Sequence, residues 1–201
     1  GMIDSGNLMR REKNGFSLLE AAVVLGVVGL VIGGIWGVAS SVRASMQSNH
    51  LHQQTLNLVS SIRDYYANRP LPAVAGAITT TLQTKGRFPE EMCPANCVAA
   101  AIPGIIIRNA YGGSTMVTVP NPATYSNQFY ITYLSVDKKG CMELGMKLSA
   151  RAPEIGLVSY LASGGSTRTT FPIPLTTLQS DCVPDLISQT LNVIIYFKIR
   201  T

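Results

Sequence analysis

The chain has 201 residues, 46% of them hydrophobic and only 13% charged, where an ordinary soluble domain carries about 25% charged residues. Its net charge of +5 comes from 16 basic and 11 acidic residues dispersed along the sequence. With no basic run able to track a phosphate backbone and no aromatic–basic stacking platform, nucleic-acid binding is not expected. The length suits one globular unit plus an extension.

Residues 2–15 are polar and include Arg10, Arg11 and Lys13. Residues 21–42 then contain no charged side chain, a run longer than the roughly 20 residues a helix needs to cross a bilayer core. A span over residues 16–42 is therefore predicted. The basic residues ahead of it keep the N-terminus cytoplasmic and send everything after the span outward. A secretory signal cleaved near Val38-Ala39-Ser40, or an uncleaved signal anchor, accounts for this pattern equally well. Neither accounts for Glu20, a carboxylate at the edge of the apolar run. Such a group costs about 2.5–3.5 kcal/mol in hydrocarbon and marks a functional position by default.

Beyond Arg43 the pattern turns amphipathic. Met46, Thr55, Val59, Ile62 and Tyr66 recur at near-helical spacing, broadened by Leu51, Leu58 and Tyr65. Arg69-Pro70 and Leu71-Pro72 end the pattern, since proline disfavours helix at its own position and just before it. One long helix over residues 16–68 is predicted. Gly26, Gly29, Gly33, Gly34 and Gly37 suit close helix–helix approach in a membrane-like setting.

Residues 69–201 read as an α+β head. Residues 73–84 form a surface loop with a short helix, and the glycine pair of Asn109-Ala110-Tyr111-Gly112-Gly113-Ser114 marks a turn. Strands are predicted at 116–119, 129–134, 156–161 and 193–199, the last with Ile194, Tyr196 and Lys198 alternating. Between the second and third of these strands, Asp137 caps a short helix with Cys141, Leu144 and Leu148 on one face. The four cysteines, Cys93, Cys97, Cys141 and Cys182, all follow the apolar run. Disulfides in an oxidising compartment and a four-cysteine zinc site are both compatible with that placement. His50 and His52 are too far along the chain to join such a site and point to different helix faces. Glu90 and Glu91 are adjacent and surface-directed. Ser135-Val136-Asp137-Lys138 matches S-x-x-K without its companion motifs and is a chance match. No G-x-S-x-G, H-E-x-x-H or phosphate-binding glycine loop occurs.

The segment Gly15-Phe16-Ser17-Leu18-Leu19-Glu20 followed by AAVVLGVVGLVIGGIWGV resembles the type III signal of type IV pilins and pseudopilins. The resemblance implies a cut by prepilin peptidase between Gly15 and Phe16, methylation of the new N-terminal Phe16, and a role in assembly for Glu20. In that family's model, one subunit's glutamate pairs with the N-terminal amine of a neighbour. Two charges costly in lipid then compensate each other in the filament. NAYGG ahead of FYITYLSVDKKGCMEL is similar to the turn, central strand and cysteine-bearing helix of type IVb pilins, the group of the toxin-coregulated and bundle-forming pilus subunits. That resemblance implies the pilin fold, a long N-terminal α-helix packed on an antiparallel β-sheet head. It also implies disulfides Cys141–Cys182 and Cys93–Cys97.

The function implied is that of a structural subunit, not an enzyme, with no cofactor or metal. It starts in the bacterial inner membrane among lipid, head in the periplasm, and ends in an extracellular pilus for adhesion, aggregation or conjugative contact. The implied partners are other pilin copies, prepilin peptidase, and an inner-membrane platform with its ATPase. A minor pilin or a type II secretion pseudopilin shares the leader and helix. A signal-anchored periplasmic enzyme is the rival from another class.

Overall fold

The computed structural model describes residues 1, 15–94, 97–98 and 107–201. The basic leader residues Arg10, Arg11 and Lys13 lie outside the described residues. The chain divides into two compact units, Gly1–Val42 and Arg43–Thr201.

Helix α1 (Leu18–Tyr66) runs for 49 residues. In the first unit its apolar side chains are exposed all round, Leu18, Leu25, Leu30 and Trp36 among them. This is the one helix among the described residues that is long and apolar enough to cross a membrane. In the second unit α1 becomes one-sided, burying Ser48, Leu51, Gln54, Thr55, Leu58, Val59, Ile62 and Tyr66. These positions fall three or four apart, with Gln54/Thr55 and Leu58/Val59 as adjacent pairs, the spacing of a single helical face. Met46 was expected on that face but is 66% exposed. It is out of phase by half a turn, and the in-phase position is the polar Ser48. The helix ends before the two Arg69–Pro72 prolines in a turn closed by Arg69 N–H donating to the Tyr66 carbonyl.

The rest of the second unit contains β1 (Gly76–Ala77), α2 (Thr79–Thr84), β2 (Thr115–Val119), β3 (Gln128–Val136), α3 (Lys138–Ala150), α4 (Ala152–Ile155), β4 (Leu157–Ala162), α5 (Leu175–Asp181) and β5 (Leu191–Lys198). The strands form one antiparallel sheet in the order β1-β2-β3-β5-β4. Strand β3 is central, as its aromatic and β-branched composition requires. Alternation puts Val117, Val119, Phe129, Ile131, Tyr133, Val193, Ile195 and Phe197 inside, in one core with Leu51, Leu58 and Ile62 of α1. Phe129 and Phe197 stack there with ring centroids 5.8 Å apart. Ile194, Tyr196 and Lys198 occupy the opposite, partly exposed face.

Helix α3 starts where Asp137 predicts it, the Asp137 carboxylate accepting from Gly140 N–H at 2.6 Å. Cys141, Leu144 and Leu148 are fully buried on its inner face. The Cys141–Cys182 disulfide joins α3 to the end of α5, and Cys93–Cys97 closes a short loop.

The turn before β2 is organised by one buried side chain. The Asn109 amide oxygen accepts from Tyr111 N–H (2.8 Å) and Gly113 N–H (3.2 Å), and its amide nitrogen donates to the Leu134 carbonyl at 2.8 Å. Gly112 has φ +77°, and a Cβ on Gly113 would strike the Leu134 carbonyl. The turn therefore needs glycine at both positions. Replacing Asn109 by alanine orphans these three groups and is expected to cost about 1–3 kcal/mol, read as a lowered denaturation midpoint of the head.

Candidate functional site

Phe16 is 80% exposed just ahead of α1. Ser17 and Glu20 form a reciprocal cap. Ser17 Oγ accepts from Glu20 N–H at 3.1 Å, and the Glu20 carboxylate accepts from Ser17 N–H at 3.3 Å. This satisfies two of the free donors at the helix start and places a negative charge where the helix dipole favours it. The S-x-x-E signature was present in the sequence, directly ahead of the apolar run, and sequence reasoning passed over it. Glu20 therefore sits at the helix mouth, one turn from Phe16, with Gly15 immediately before.

The apolar part of α1 lacks partners in its own chain. A Cβ built at Gly26, Gly29, Gly33, Gly34 or Gly37 meets nothing within 4 Å, so intrachain packing does not require these glycines. Around Gly34 they leave a shallow apolar cleft bordered by Leu30, Val31, Ile35 and Val38. A neighbouring helix could approach closely there.

In the head, α3 is lashed to α1 by polar contacts. Ser48 Oγ donates to Glu143, Lys147 to Asn49, and Lys139 Nζ to Ser45 Oγ at 2.9 Å. Each partner is about a hundred residues from the other, so no local pattern announces the set. His52 lies half-buried beside this seam. Burial, followed by the charges of Lys147 and Arg151, lowers its pKa. His50 points elsewhere and meets Glu91 at 3.2 Å. Thr55 Oγ1 lies 2.8 Å from the Tyr133 hydroxyl, a buried link between α1 and β3. Arg63 donates to the Ile155 carbonyl (2.6 Å) and the Lys198 carbonyl (2.8 Å), tying α1 to the ends of α4 and β5.

Arg168 makes a two-pronged pair with buried Asp181, at 2.6 and 2.8 Å. The arginine hydrogen bond is the main cause that holds the Asp181 carboxyl below the usual carboxylate range. A depressed folded pKa stabilises the fold above the unfolded carboxylate pKa and loses that contribution as pH falls through the folded one. Asp181→Asn is therefore expected to unfold more easily than the native chain at pH 7. The difference should close on acidification below about pH 4, which thermal melts across that range would show.

All four cysteines are consumed in the two disulfides, so none is a thiolate available to zinc. Among the described residues no cluster of His, Cys, Asp and Glu could hold a metal ion. Ser135 is exposed at a strand end with φ +60°, and Asp137 is engaged in capping.

An exposed apolar helix segment, an amphipathic segment sharing the core of an antiparallel sheet, and a disulfide binding α3 to the end of α5 together make up a pilin fold. The crystal structure of a type IVb pilin from Salmonella typhi has the same fold, with TM-score 0.54 and 18% identity, covering 75% of this chain and 98% of that chain. Residues 39–196 match the family described as PilS N terminal, and the chain belongs to that family. No curated protein matches the sequence.

Proposed function

We propose that this chain is the subunit of a type IVb-like pilus, processed between Gly15 and Phe16 and polymerised through α1. The observation that carries the proposal is the apolar part of α1. It is exposed on every side, its glycines face open space, and its single carboxylate, Glu20, stands at the helix mouth. In lipid that surface is solvated by acyl chains; in a filament, copies of the same helix would bury it. The Phe16 ammonium created by cleavage and the Glu20 carboxylate of a neighbour then compensate each other. The head is carried on the outside for adhesion, aggregation or mating contact, and the chain performs no catalytic step. Prepilin peptidase, an inner-membrane platform with its ATPase, and other pilin copies are the partners this requires.

The test is an intact mass of the protein from native membranes, with and without the host's prepilin peptidase. The expected product begins at Phe16 and is heavier by one methylene than the unmodified chain. Gly15→Ser should accumulate the uncut form. An uncut native chain, or one cut near Ser40, would instead favour an anchored or secreted protein of another function.

A further inference from the structure

Outside α1, the most exposed large apolar side chains among the described residues are Leu186 (90%) and Ile187 (94%). They stand side by side at the tip of the connection from α5 to β5. That tip is held in shape. The Asp185 carboxylate accepts from Ile187 N–H (2.9 Å) and Ser188 N–H (3.0 Å). Asp185 N–H donates to the Thr190 carbonyl, and Gln189 N–H returns to the Asp185 carbonyl, each at 2.9 Å. The N–H groups of Ser188 and Ile187 also keep the Asp185 carboxyl below its usual range, hence charged. The result is a hydrogen-bonded loop that presents an aliphatic finger with one negative charge at its base.

A complementary cleft of about 240 Å³ opens at the other end of β5. Leu71, Pro72, Tyr125 and Ile199 supply apolar walls, Arg69 and Arg200 flank them, and no side chain lining the cleft is a carboxylate. Finger and cleft are separated by the eight residues of β5, about 26 Å at 3.3 Å per residue. Strand β5 runs in the same direction as the second part of α1. Val193 is paired with Tyr133, which meets Thr55, and the Lys198 carbonyl meets Arg63. The finger is therefore displaced toward the start of the head's helical segment and the cleft toward its end.

We propose that the Leu186–Ile187 finger of one head docks in the Arg69/Leu71/Tyr125/Arg200 cleft of another copy of this chain. The occupant is a second copy because donor and acceptor belong to one head, match in apolar character and are opposite in charge. Two different patches at opposite ends of one axis make a head-to-tail contact, which propagates instead of closing into a dimer. This rests on the filament reading above and adds to the α1 contacts a second, surface-level contact between heads.

The test uses the full chain in its host. Leu186→Ser with Ile187→Ser removes the apolar tip without touching the core. It is expected to cut sheared filament yield by about tenfold or more, the worth of one buried aliphatic side chain, with processing and membrane level unchanged. A chain carrying both Ile187→Cys and Ala73→Cys, the latter at the cleft wall, should give an oxidant-dependent ladder of dimers, trimers and higher species. Either substitution alone should give none. Native filament yield from the serine variant overturns the docking while leaving the pilin reading intact. So does a ladder absent from intact filaments, or crosslinking only between two position-187 cysteines. Retained filaments with lost cell or lipid attachment would assign the finger to another partner and overturn it as well. A native chain that never forms filaments overturns both readings.

Discussion

Replacing Glu20 with alanine is expected to leave the chain cleaved and membrane-held while filament yield falls by on the order of a hundredfold or more, the effect of unpairing a buried charge worth about 3–5 kcal/mol. The alternative explanation is that Glu20 serves only its own helix, since its carboxylate caps Ser17 N–H. Loss of a cap costs only about 0.5–2 kcal/mol, and glutamine fills the same capping position as well as glutamate does. Glu20→Gln separates the two roles. If the carboxylate compensates the Phe16 ammonium of a neighbour, glutamine fails like alanine; if it only caps, glutamine restores filaments. Normal filament yield from Glu20→Ala, counted by electron microscopy against equal subunit levels, would sink the pairing mechanism.

The second large effect is expected at the α3–α5 disulfide. Cys141 and Cys182 lie 41 residues apart, and closing a loop of that length stabilises by about 4 kcal/mol in the chain-entropy model. For a head of this size the paired Cys141→Ser, Cys182→Ser variant should melt roughly 8–16 °C below the native protein. The same treatment of Cys93 and Cys97, four residues apart, removes a much smaller loop and should cost about half as much. Equal losses from the two pairs would mean that local packing around the sulfurs, and not chain closure, sets the contribution.

The parts legible in the sequence were those with a local physical signature. The uncharged run, the 3.6-residue spacing from Leu51 to Tyr66, the aromatic and β-branched stretch of β3 and the Asp137 cap each state their structure over a few residues. Helix α5 does not. Its seven residues bury only Leu178 and Asp181, no side chain caps it, and Pro174 precedes it. Its position is set by Cys182 and by Gly145 of α3, where a Cβ would come within 2.6 Å of Leu178. Two-residue β1 and four-residue α4 are likewise too short to show a period. Met46 was misplaced because hydrophobicity alone assigned it to the buried stripe. The seam with α3 is polar at that level, using Ser45, Ser48 and Asn49, so phase and not apolarity decides which residues face in. At the candidate site, the roles of Phe16 and Glu20 come from the resemblance of residues 15–20 and stand as proposals. The Arg168–Asp181 pair could not be named from the sequence, since it depends on Arg168 pairing back onto Tyr160 in an isolated bridge. The finger at Leu186 and Ile187 was readable as an apolar pair, but its exposure belongs to the loop's hydrogen bonds.

The Cys141–Cys182 link also limits how far the head can be drawn out by an external load. The sequence separation of 41 between the two cysteines represents about 140 Å of contour at 3.4 Å per residue. A force applied at the two ends of the head passes through the covalent bridge and leaves that length in reserve, so a head that loses its packing under tension gives up less slack and keeps α3 and α5 side by side for refolding.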